Sequence, residues 1–164
     1  MSETDPASFA ASAVESALRE LGVHWEPAGP GAYAVSLPGE RKLKTVCVLR
    51  IGARDLGAHA FVVRRPDENH EAFHRFLLER NLRLSGVAFA VDHLGDVHVI
   101  GSLPLHAVTT EAIDRLLGAV LSAADDHFNR LLELGFAGSI RREWAWRTAH
   151  GESTANLEAF RHLF

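Results

Sequence analysis

The stretch that decides the fold is RKLKTVCVLRIGARDLGAHAFVVRR, residues 41–65. In RKLKTVCVLRIG, Leu43, Thr45, Cys47, Leu49 and Ile51 recur at every second position. That is the period of a pleated strand, whose successive side chains point to opposite faces. ARDLG, residues 53–57, has the composition of a turn, and AHAFVVRR, residues 58–65, is again strand-like. On the N-terminal side, AYAVSLP (32–38) is a short strand that follows the turn EPAGPG and is closed by Pro38-Gly39. Three consecutive strands with short loops predict an antiparallel meander.

Helical periods frame this meander. Asp5 is placed to cap a helix over 6–21, and Pro6 suits its first position, where a missing N–H costs nothing. Ala11, Val14, Leu18 and Leu21 recur at helical spacing, and Gly22 is the stop. PDENHEAFHRFLLERN (66–81) predicts a second helix starting at Pro66 and Asp67, with Phe73, Phe76, Leu77 and the Arg80 stem on one side. SGVAFAVD (85–92) and DVHVIG (96–101) read as a hairpin around Asp92-His93-Leu94-Gly95. Thr109 or Thr110 then caps the longest helix. Its apolar residues run from Ile113 through Phe128 to Leu134, and Gly135 is its natural terminator.

The predicted order is α-β-β-β-α-β-β-α, an α+β fold with an antiparallel sheet and helices on one face and along the edges. Residues 1–147 are assigned to one domain. Residues 148–164 form a tail in which Leu157, Phe160 and Leu163 suit a short amphipathic helix.

Composition narrows the function. A net charge of −4 over 164 residues disfavours a nucleic-acid binder, which would carry a basic excess. The single cysteine, Cys47, excludes an intrachain disulfide and fits a reducing compartment. MSETDPAS lacks the basic and apolar regions of a signal peptide, and no apolar run approaches membrane-spanning length. A cytoplasmic protein is expected. Lysine occurs only at Lys42 and Lys44 beside abundant arginine and alanine, which points to a GC-rich bacterial genome.

HEAFH (70–74) matches the zinc-peptidase pattern H-E-x-x-H. On a helix, His70 and His74 would share a metal and Glu71 would polarise its water. That makes a zinc hydrolase the alternative reading. A third ligand is missing, however: the extended pattern needs Gly at 77 and His at 80, where this chain has Leu77 and Arg80. Chance supplies the short motif in roughly one such chain in twenty, given ten histidines. In DHLGDVH, residues Asp92, His93, Asp96 and His98 are read as turn chemistry rather than as an acid–base or metal site. Asp125, Asp126 and His127 are read as a solvated helix face, with Ala124 and Phe128 turned inward. Nothing marks Cys47 as an activated thiolate.

SIRREWAWR (139–147) gathers Trp144 and Trp146 with Arg141, Arg142 and Arg147. Tryptophan and arginine dominate binding hot spots, which makes Trp144, Trp146, Arg141 and Arg142 candidate partner-binding residues. The alternative is that both tryptophans pack on the protein's own sheet while the arginines pair with local acids. The long helix is apolar on more than a narrow stripe, which suggests a homodimer. Leu157, Phe160 and Phe164 would also let the C-terminal segment fill the protein's own groove, or a sister subunit's.

The run from Phe73 to Arg147 resembles the YbjN-domain family, especially its actinobacterial members. The likeness covers roughly residues 7–147 and is most specific in GVAFAVD (86–92), GDVHVIGSLPL (95–105) and RLLGAVLSAADDHFNRLLELGF (115–136). The resemblance implies a type III secretion chaperone-like fold, with the element order read above from periodicity. It further implies homodimers, and a protein partner or client segment held by a sensory-transduction or stress-linked regulator. It implies no catalytic residue, cofactor or metal, so His70, Glu71 and His74 gain nothing from it.

Overall fold

A computed structural model describes residues 6–164. The expected cap Asp5 lies outside these residues. The elements are α1 (Pro6–Leu21), β1 (His24–Pro27), β2 (Ala32–Pro38), β3 (Lys44–Ile51), β4 (Asp55–Val63), α2 (His70–Asn81), β5 (Val87–Val91), β6 (Val97–Pro104), α3 (Thr110–Asp126) and α4 (Phe128–Ala149), followed by a 3-10 helix over Ala155–Leu163.

The strands form one antiparallel sheet in the order β1-β2-β3-β4-β6-β5. The meander is present, with Val35 opposite Cys47 and Cys47 opposite Ala60. β6 returns beside β4, so β5 is left at one edge and β1 at the other. β1 was not expected from the sequence: Glu26 and Pro27 fall in EPAGPG, read as a turn, yet His24–Pro27 pairs with β2 from His24↔Ser36 to Pro27↔Tyr33. β4 also starts earlier than the sequence suggests, because the turn closes within Gly52–Arg54 and Gly52 N donates to Asp55 O.

The period-2 pattern sets the core. Thr45, Cys47 and Leu49 of β3, Leu56, Ala58, Ala60 and Val62 of β4, and Val97 and Val99 of β6 are buried on one face. Val14 and Leu18 of α1 pack against that face with Ile113, Leu116, Leu117 and Val120 of α3. Leu43, counted with that face, instead lies exposed in the turn before β3. Thr109 caps α3, its hydroxyl accepting from Ala112 N at 3.1 Å.

Two expectations about the helices are corrected. The long helix does not end at Gly135. It breaks at His127, whose Nδ1 donates to Ala123 O at 2.9 Å, and then continues to Ala149 with a second irregularity at Phe136 (φ −139°, ψ 18°). Gly135 is there because of packing: a Cβ on it would lie 2.7 Å from Pro66 Cβ and 2.9 Å from Phe73. α2 starts at His70, with Asn69 in the left-handed region, not at Pro66. Residues 66–69 serve α4 instead. The kink there leaves main-chain groups without helical partners. Gly135 O accepts from Asp67 N and Glu68 N, and Gly138 N donates to Glu68 Oε1 at 2.7 Å.

The solvated face expected at 125–127 is also corrected. Asp125 is buried, and its Oδ1 accepts from Arg41 N at 2.9 Å and Lys42 N at 2.8 Å. Burial alone would raise its pKa, but the main-chain donors of Lys42, Arg41 and Glu40 outweigh burial and hold it below the usual carboxylate value. Asp125 therefore fixes the β2–β3 turn on the end of α3. Only Asp126 of the pair is exposed.

Candidate functional site

Among the described residues, no helix covers the other face of the sheet. Its outward residues follow from the same alternation: Val46 and Val48 of β3, His59 and Phe61 of β4, His98 and Ile100 of β6, and Ala88 and Ala90 of β5. Registers Val48↔His59, His59↔Ile100 and Ala88↔Ile100 place them in adjoining rows. Val46, Phe61 and Ile100 are 40%, 45% and 42% exposed. A water-facing strand face is normally polar, and here valine, phenylalanine and isoleucine stand exposed among His59, His98 and Arg50.

A polar chain crosses this apolar surface. His59 Nε2 lies 2.8 Å from His98 Nδ1, and His98 Nε2 lies 2.9 Å from Asp92 Oδ2. A carboxylate only accepts, so His98 donates from Nε2, and in its neutral form its Nδ1 accepts from His59 Nε2–H. The His98 hydrogen bond is the main reason Asp92 sits below the ordinary carboxylate range. His59 is lowered first by burial and then by its neighbour His98. Asp92 Oδ1 meanwhile accepts from Leu94 N and Asp96 N, the turn chemistry read from DHLGDVH. Its second oxygen does what that reading omitted. The chain ends on no nucleophile: Cys47 lies on the opposite, buried face, where burial pushes its thiol up to about 11.

A second apolar surface lies at the β5 edge. An open groove of about 390 Å³ is lined by His74, Leu77, Leu78, Asn81, Phe89, Ala90 and Val91. Leu78 and Leu82 beside it are 68% and 88% exposed. The Asn81 carboxamide pairs both main-chain groups of Phe89, donating to its O at 3.1 Å and accepting from its N at 2.8 Å. It stands where one peptide group of a further strand would stand.

HEAFH does not converge on a point. His70 lines a depression with Arg64, Arg65, Asp67 and Asp96, whereas His74 turns into the α2–β5 groove, where its buried Nε2 has no partner. The ring centroids are 6.3 Å apart, and among the described residues no group of three or more His, Cys, Asp or Glu could hold a metal ion.

The Trp–Arg quartet is split by helix geometry. Trp144 stacks on Phe164 with centroids 4.5 Å apart, and Arg141 Nε donates to Leu163 O at 3.0 Å. Trp146 instead stacks on His150, and Arg142 donates to Ser139 Oγ at 2.9 Å. Residues two apart on a helix face different ways. The open sheet face was missed from sequence. Its signal was the apolar character of Val46, Val48, Phe61 and Ile100 at the alternate positions.

Residues 10–133 match the YbjN family, described as "Putative bacterial sensory transduction regulator". The chain belongs to the YbjN family. That description names a regulator, not an enzyme. Among YbjN-type relatives, the uncharacterized protein Rv0487 of Mycobacterium tuberculosis is 50% identical over 153 residues, covering 93% of this chain and 84% of that one. The uncharacterized protein ML2442 of Mycobacterium leprae is 47% identical over 164 residues, covering 97% and 89%. Solved structures agree on the fold. E. coli YbjN aligns with a TM-score of 0.55 at 15% identity, covering 71% of this chain and 89% of that one. A chain of the ExsC–ExsE complex aligns at 0.58 and 19%, covering 76% and 95%. The Yersinia pestis type III secretion chaperone SycH, in complex with a fragment of YscM2, aligns at 0.53 and 22%, covering 70% and 96%. The type III secretion chaperone-like α+β fold is thus shown. Among the described residues no helix is long and apolar enough to cross a membrane.

Proposed function

We propose that this chain is a non-enzymatic protein-binding module, chaperone-like or regulatory, that works as a cytoplasmic homodimer and holds a partner segment on its open sheet face. One observation carries the reading: the uncovered face presents Val46, Val48, Phe61 and Ile100 to solvent, where a strand face meant for water would be polar. The fold neighbours SycH and the chain of the ExsC–ExsE complex, each crystallised with a protein partner, support binding of a protein rather than a small molecule. The α2–β5 edge supplies the homodimer contact. Leu78, Leu82 and Val91 are exposed there beside the unpartnered His74 Nε2.

The test is a photo-crosslinking residue placed at position 100, with a control at Glu79 on the outer side of α2. Irradiation in the native cells is expected to link one dominant protein to position 100 and not to position 79. Equal, diffuse labelling at both would contradict the assignment of this face.

A further inference from the structure

The C-terminal segment is built unlike the rest of the molecule. The family match ends at residue 133, so most of α4 and the whole 3-10 helix lie beyond it. The segment nevertheless packs inward: Leu157 and Phe160 are buried, and Phe160 joins the main core cluster. Its outer end is held at the surface. Phe164 stacks on Trp144, Leu163 O accepts from Arg141, and His162 Nε2 meets Glu133 Oε1 at 3.1 Å. Arg147 holds the other end through Ser153 O at 3.1 Å.

The conformation of this segment is weak by itself. It is a 3-10 helix of nine residues, whereas runs beyond about three or four are uncommon because their hydrogen bonds are poorly aligned. Two buried side chains must also offset the conformational entropy of the whole segment. The segment holds this shape while packed against α4. An α-helix carrying apolar side chains one turn apart would fill the same space with better-formed hydrogen bonds.

We infer that residues 155–164 are a displaceable cover, and that the α4 surface beneath them docks a short amphipathic helix of a partner protein. This deepens the partner-binding reading above and rests on it. Trp144 and Arg141 belong to this surface: the ring takes an apolar side chain, and the guanidinium takes a main-chain carbonyl. Trp146 and Arg142 lie outside it.

Three readouts test the inference. In the intact chain, amides of residues 157–164 are expected to exchange with solvent at least about tenfold faster than those of β3 and β4. Exchange as slow as the sheet would overturn the cover. A labelled peptide of residues 152–164 is expected to bind a chain ending at Ala149 at least about tenfold more tightly than the full chain. Equal affinity, or no binding to a folded truncated chain, would also overturn it. Should the truncated chain fail to fold, the full chain carrying His162→Ala and Phe164→Ala, both at exposed positions of the cover itself, replaces it with the same expectation. Finally, the protein cross-linked at position 100 is expected to bind this double variant several-fold more tightly than wild type. Unchanged binding would sink the docking role and leave the partner-binding reading standing. Absence of any cross-linked partner would count against that reading while the exchange and peptide results still judged the cover.

Discussion

His59 Nε2 and His98 Nδ1 lie 2.8 Å apart on the uncovered face of the sheet, and Asp92 fixes which of them donates. With His98 in its neutral form, His59 is the donor across that contact. His59 is held below its ordinary value, first by burial and then by His98. A histidine lowered in the folded state binds protons more readily when unfolded. Its contribution to stability is therefore complete above the unfolded value, about 6.5, and is lost as pH falls below it. The melting temperature is expected to fall between pH 7.5 and pH 5.5, and His59→Gln to reduce that fall. An identical fall in the variant would show that the pair has no such role.

Asp125 is expected to matter for stability and not for the sheet surface. Asp125→Ala leaves the N–H groups of Arg41 and Lys42 without their acceptor, at a cost of about 1–3 kcal/mol. Asp125→Asn keeps an acceptor oxygen and should recover part of the loss. Urea titration of the three proteins distinguishes this from a solvated carboxylate, whose removal would change little.

Gly135→Ala should destabilise by about 1–3 kcal/mol, because the new methyl group meets Pro66 and Phe73 in a filled interior. Thermal unfolding measures it. A neutral or stabilising result would mean that α4 can move away from α2, against the packing described.

Leu78→Asp with Leu82→Asp should convert a dimer to a monomer without lowering the melting temperature of the subunit, since both side chains are exposed. Sedimentation velocity reads this directly. A wild-type chain that sediments as a monomer at all concentrations would remove the homodimer from the account.

Much of the fold was legible because period and burial agree. The strands around Cys47 and Phe89 and the helices around Leu18 and Phe73 stand where alternation and helical spacing put them. The misses have local causes. HWEP is four residues long, ends in proline and alternates too briefly to read as a strand. The break at His127 passes unseen because the apolar period continues from Ala124 to Phe128 with no glycine or proline between. Gly135 imitates a helix stop, but its lack of a side chain serves contact with Phe73. The polar residues of the open face were harder to assign. Asp92 and His98 share the DHLGDVH hairpin, but His59 comes from β4, and only strand register brings it into line with them. Trp144 and Trp146 were legible as candidate partner-binding residues, but their division between two sides of α4 depends on where residues 155–164 return.

The most direct measurement is a calorimetric titration of the protein cross-linked at position 100 against wild type and Ile100→Asp. A carboxylate in the middle of the apolar rows must be desolvated by any partner lying across them. The variant is expected to stay folded and to bind at least about tenfold more weakly. Equal affinity with an intact fold would contradict the open sheet face as the site of partner binding.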